Sequence, residues 1–176
     1  MLFLSGAAQA TPCTITIAAK VTPSDACETG SGNQDFKNDP MTVNTDEMFG
    51  FDDWVFAQRD DDADGTDTTD IDIGFLISGD VVSGSWDIDS DFWSTYSNLM
   101  LVFKGGNTNY VGYLITEGAI TGTYSSPLVK NSDQFYDISH ISAYVRGPSI
   151  SIPEPGTLGL LGLGLLGLAI RRRNKA

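Results

Sequence analysis

From Thr14 to Arg146 the chain is built of short runs rich in β-branched and aromatic residues, separated by Gly, Asn, Asp and Ser. No stretch between residues 11 and 150 repeats its apolar residues at the 3.6 spacing of a capped helix, which confines the body to strands. Eight runs read as strands: Thr14–Ala19, Phe49–Ala57, Ile71–Ser78, Gly84–Ile88, Leu99–Lys104, Asn109–Thr116, Ala119–Tyr124 and Ile138–Arg146. In the third, Ile71, Ile73, Phe75 and Ile77 alternate onto one face. In the last, Ile141, Ala143 and Val145 oppose His140, Ser142 and Tyr144. Gly and Asn tolerate positive φ, so Lys104-Gly105-Gly106-Asn107 predicts a hairpin turn. A helical turn fits Asp91–Ser97. The fold class expected is all-β, an antiparallel β-sandwich over residues 11–150.

Charge narrows the function. The chain carries 23 acidic and 10 basic side chains. Four of the basic ones, Arg171, Arg172, Arg173 and Lys175, sit in the last six residues, so residues 11–150 hold 22 acids against 6 basic residues. A body of that sign repels phosphate backbones, which argues against nucleic-acid binding and favours cations or cationic partners. Hydrophobics at 41% and aromatics at 10% exclude a disordered acidic tail.

Cys13 and Cys27 are the two cysteines and His140 the one histidine, so sites that need several His or Cys are excluded. In an oxidising compartment the cysteine pair predicts a disulfide. Residues 1–10, apolar at Leu2-Phe3-Leu4 and ending Ala8-Gln9-Ala10, match the last part of a secretory signal peptide cleaved before Thr11. The basic n-region and most of the h-region of such a peptide are missing, which implies a start further upstream; a native N-terminal strand is the alternative.

Residues 151–176 form a third segment. Pro153-Glu154-Pro155 makes a stiff, extended spacer. Leu158–Ile170 follows with Leu, Gly, Ala and Ile only, and then come the three arginines. These 13 residues span roughly 20 Å as a helix, short of the ~30 Å hydrocarbon core, so the segment is a marginal single transmembrane helix. The arginines orient its end toward the cytoplasm and leave the acidic body outside. Gly159, Gly162, Gly164 and Gly167 give the helix a small-residue face suited to a protein partner.

The order Pro-Glu-Pro, Gly-Leu helix and Arg cluster, over Ile152 to Lys175, resembles the PEP-CTERM sorting segment. The resemblance implies recognition and cleavage by exosortase, a membrane cysteine protease-transpeptidase of Gram-negative bacteria that make exopolysaccharide. It makes residues 158–170 a transient inner-membrane tether, and delivers the body to the cell surface or extracellular matrix. A permanent tail anchor is the alternative. Phe51–Phe56, Leu99–Lys104, Tyr110–Ile115, Gly122–Pro127 and Ile138–Ser142 are similar to segments of other proteins with this tail, which implies a jelly-roll-like ectodomain.

Among candidate sites, Asp60-Asp61-Asp62-Ala63-Asp64-Gly65-Thr66-Asp67 opens like an EF-hand loop, with Asp at positions 1, 3 and 5 and Gly at 6. Asp67 at position 8 and Ile71 at position 12 then depart from that pattern. Asp60, Asp62 and Asp64, with Asp67 or Asp70, are the expected Ca²⁺ ligands; a solvated loop is the alternative. Asp87, Asp89 and Asp91 read as a solvated sheet face, and His140 as a hydrogen-bonded structural residue. No nucleophile, base and orienter set is visible. The expectation is a non-enzymatic surface or exopolysaccharide-matrix protein, then a calcium-dependent carbohydrate-binding module, and last a secreted hydrolase.

Overall fold

The computed structural model describes residues 10–32, 41–61, 68–106, 109–131 and 134–147. Along the chain these form β1 (Thr11–Pro12), α1 (Ile15–Ala18), β2 (Val21–Thr22), β3 (Ser24–Thr29), α2 (Thr42–Thr45), a 3₁₀ turn at Met48–Gly50, β4 (Val55–Asp61) and β5 (Thr68–Thr69). There follow β6 (Leu76–Gly79), β7 (Ser83–Asp87), α3 (Phe92–Thr95), β8 (Asn98–Lys104), β9 (Val111–Ile115), β10 (Thr121–Ser125), β11 (Val129–Asn131), β12 (Gln134–Phe135) and β13 (His140–Arg146).

Among the described residues every strand pairing is antiparallel. One sheet runs β1-β3-β9-β8-β13-β4-β5, a second β2-β10-β7-β6, and β11-β12 is a separate hairpin. The two large sheets face each other across one apolar core. The larger contributes Leu101, Phe103, Tyr113, Ile141, Ala143 and Val145; the smaller contributes Val21, Ile77, Trp86 and Tyr124. The chain crosses between sheets at Pro23, where β2 pairs β10 and β3 pairs β9. Among the described residues, three helices of four residues each accompany the strands.

The alternation expected of Ile71–Ile77 is seen in burial: Ile73, Phe75 and Ile77 enter the core and Ile71 packs against it. Only Leu76 onward is strand, because the Gln58 side-chain carbonyl accepts the N–H groups of Ile73 and Phe75 at 2.9 and 3.0 Å in place of a ladder. The turn expected at Asp91–Ser97 is α3.

Two expected strands are corrected. Thr14–Ala19 is not a strand; its centre is the helical turn α1, whose Ile17 carbonyl accepts the Tyr113 hydroxyl at 2.6 Å. Phe49–Ala57 becomes strand only at Val55, since Phe49 and Gly50 lie at φ 59° and 77° and turn the chain. The sequence reading missed β3, whose Ser-Asp-Ala-Cys-Glu-Thr is too polar to announce a strand.

The larger sheet is buried on both faces. Its second face carries Phe56, Met100, Val102 and Tyr144, and residues 41–54 lie over it through Val43, Met48 and Trp54. Trp54 donates its indole N–H to the Met48 carbonyl at 3.0 Å, and Asn44 brackets its backbone with two hydrogen bonds of 2.9 Å. Beneath this cover the Asp46 carboxylate, 2% exposed, accepts the Tyr110 hydroxyl at 2.6 Å and the Ser31 N–H at 2.7 Å. Burial and that carboxylate together push the Tyr110 hydroxyl well above its ordinary pKa. The expected disulfide is present: Cys13 and Cys27 are joined, with β1 paired to β3 around the bond.

Candidate functional sites

The last described strand is held firmly where the chain leaves the domain. β13 lies between β8 and β4, an interior position in the sheet. Its final residue, Arg146, grips the Asp53 carboxylate with Nε at 2.5 Å and Nη2 at 3.0 Å, and gives Nη1 to Asn98 at 3.0 Å. The guanidinium lies 3.6 Å from the Phe51 ring centroid, a stacked geometry available to Arg and not to Lys. The hydrogen bond from Arg146 lowers the Asp53 pKa. Ser97 adds its N–H to the Arg146 carbonyl and its hydroxyl to that of Gly147. Pro153, Glu154, Pro155, Arg171, Arg172, Arg173 and the apolar run 158–170 lie outside the described residues. Among the described residues no helix is long and apolar enough to cross a membrane.

The Asp-rich segment is the connection of a hairpin. Gln58 pairs Thr69 and Arg59 pairs Thr68, so residues 62–67 bridge β4 to β5. Asp60 and Asp61 end β4, with Asp61 bound to the Arg59 guanidinium. Asp70 follows β5 and gives its N–H to the Ala57 carbonyl at 2.9 Å, some three ladder positions, or about 10 Å, from Asp60. Asp62, Asp64 and Asp67 lie outside the described residues, and among those described no three His, Cys, Asp or Glu side chains form a metal-holding group.

His140 stands in the ladder between Asp61 and Lys104. Its Nδ1 lies 3.2 Å from the Ser139 hydroxyl, which itself donates to the Lys104 carbonyl at 2.9 Å. Burial, helped by the charge of Arg59, holds its pKa down to about 4, so it is neutral at pH 7. A small hollow beside it is lined by Asp60, Asp80 and Tyr124. Asp80 accepts the N–H groups of Ser83 and Val82, each at 2.8 Å, and these lower its pKa. The second Asp group is split: Asp87 ends β7, while Asp89 and Asp91 join Asp72 around an acidic hollow beside α3. A third and larger hollow, between α1 and the β11–β12 hairpin, has no carboxylate in its lining. The sequence reading missed this hollow and the Arg146–Asp53 grip, since each is assembled from residues far apart in the chain.

Neither the curated proteins nor the solved structures contain a match to this chain. A family profile described as a PEP-CTERM protein-sorting motif matches residues 151–173. That motif marks a chain for export and for sorting by exosortase to the cell surface or beyond. On it, the chain is a PEP-CTERM domain-containing protein.

Proposed function

We propose that this chain is a non-catalytic surface or exopolysaccharide-matrix component of a Gram-negative bacterium: an acidic, jelly-roll-like sandwich that crosses the inner membrane, is tethered there through residues 158–170, and is cut free in its tail. The observation that carries this reading is the sorting motif at residues 151–173, which follows a few residues after the Arg146 grip. The grip suits a domain pulled or passed on by its C-terminus, because load on the tail enters an interior strand paired on both sides. Intact-mass measurement of the exported protein tests the tail. The wild-type chain is expected to lack the residues after Pro153-Glu154-Pro155, and a variant with Pro153→Ala, Glu154→Gln and Pro155→Ala to retain residues 156–176. Wild-type protein carrying those residues at the cell surface would sink the proposal and establish a permanent anchor.

A second reading, calcium-dependent carbohydrate binding, is favoured by the β4–β5 pairing, since the Asp-rich stretch of sequence joins these two paired strands and Asp60 and Asp61 end β4. Carboxylates so close in sequence repel one another until a cation joins them. Millimolar Ca²⁺ is then expected to raise the melting temperature saturably, and less so in Asp62→Asn/Asp64→Asn. An unchanged melting temperature in the wild-type chain rejects the site.

A further inference from the structure

The hollow between α1 and the β11–β12 hairpin differs in chemistry from the rest of this acidic surface. Its volume, about 420 Å³, falls within the range of small-ligand pockets, about 300 to 1,000 Å³. Ile17, Val111 and Leu128 form its apolar walls, Tyr136 offers a half-buried ring, and Thr29 and Asn109 supply a hydroxyl and an amide. The other two hollows described above are lined by Asp60 and Asp80, and by Asp72, Asp89 and Asp91.

Two cations stand by the aromatic rings at the β11–β12 hairpin, which borders this hollow through Tyr136. The Lys20 ammonium lies 4.1 Å from the centroid of Phe135, the neighbour of Tyr136, and the Lys130 ammonium 5.6 Å from that of Tyr136. Among the described residues neither lysine has a carboxylate partner, whereas Arg59 and Arg146 are paired with Asp61 and Asp53. A ring face, an amide, a hydroxyl and nearby cations are together the complement of a carboxylate-bearing sugar: the aromatic takes the C–H face of the pyranose, the polar pair its hydroxyls, and the lysines its carboxylate.

We propose that this groove is a binding site for a uronic-acid residue. It stands on the described domain and is independent of how the tail is processed. The test is calorimetric titration of the full chain in detergent, with EDTA present to silence any calcium-dependent binding. The probes are glucuronic acid, oligogalacturonate and a neutral maltooligosaccharide of equal length. The expected result is saturable binding of a uronate probe at an affinity at least tenfold above the neutral one. Lys20→Gln/Lys130→Gln should lose on the order of tenfold in uronate affinity with an unchanged melting temperature. Tyr136→Ala should abolish binding, while Tyr136→Phe, which keeps the ring, should retain it. Binding of glucuronic acid itself identifies a site for the free sugar; binding of the oligomer alone identifies one for the sugar within a polymer. No saturable heat with either uronate, equal affinity for the neutral sugar, or an unchanged affinity in the double lysine variant overturns the proposal.

Discussion

Replacing Trp54 by alanine is expected to cost the domain about 3–5 kcal/mol, the range for deleting a large buried aromatic. Trp54 is 1% exposed and stands edge-on to Phe49 and Phe51, with ring centroids 6.4 and 5.9 Å away. Its indole N–H holds the Met48 carbonyl, and Met48 in turn covers Met100 and Val102 on the second face of the larger sheet. Removing the ring opens a cavity in a layer only one segment thick, and the surrounding strands are fixed by their ladders, so little of that cavity can collapse. Phe51, on which the Arg146 guanidinium stacks, loses its support in the same change. Denaturant unfolding of the full chain measures the loss. Trp54→Phe should keep most of the stability, forfeiting about 1 kcal/mol with the hydrogen bond. A loss below 1 kcal/mol for Trp54→Ala would show that residues 41–54 are a dispensable flap.

The second large effect is expected from the disulfide. Cys13→Ser/Cys27→Ser opens a covalent loop with a separation of 14 residues, worth about 3 kcal/mol through the entropy of the unfolded chain. The loss should concentrate locally. β1 has two residues and α1 has no fully buried side chain, so beyond the disulfide this end is attached mainly by the β1–β3 pairing, the Cys13–Cys27 and Ala10–Asp46 backbone hydrogen bonds, the Tyr113–Ile17 hydrogen bond and the partial packing of Ile17 and Ala18. Hydrogen exchange is expected to quicken from Thr11 to Ala19 while β8 and β13, with neighbours on both sides, keep their protection. Uniformly faster exchange through β8 and β13 would contradict this, because it would make the disulfide part of the global core.

The strands legible in the sequence were those whose alternation coincides with burial. β7, β8, β9, β10 and β13 fall within about two residues of their expected bounds, because β-branched and aromatic residues pack well on a pleated face. Thr14–Ala19 misled for the same reason. Its Thr-Ile-Thr-Ile favours a strand, yet Cys13 is tied to Cys27 in one sheet and Val21 must reach Tyr124 in the other. An extended run from Thr14 to Lys20 would travel about 23 Å, so the chain takes up the length in a helical turn. β3 escaped notice because its stability comes from β1 and β9 on its two sides and not from its own polar side chains.

The candidate sites divide along the same line. Pro153-Glu154-Pro155, the apolar run and the arginines are contiguous, so a linear signal read by a membrane enzyme was visible at once, and the cysteine pair was visible through its compartment. The sequence alone therefore determined the destination of the chain, its β-sheet body and its disulfide. Only the tertiary structure decided that the second face of the larger sheet is buried, that Arg146 meets Asp53 across 93 positions, and that Lys20 arrives over the Phe135 ring of the hairpin that borders a groove with no carboxylate in its lining. The physical reason is that periodicity reports which side of its own strand a residue occupies. Which residues meet across strands depends on register and on the packing of one layer on another, and both are set by the whole core.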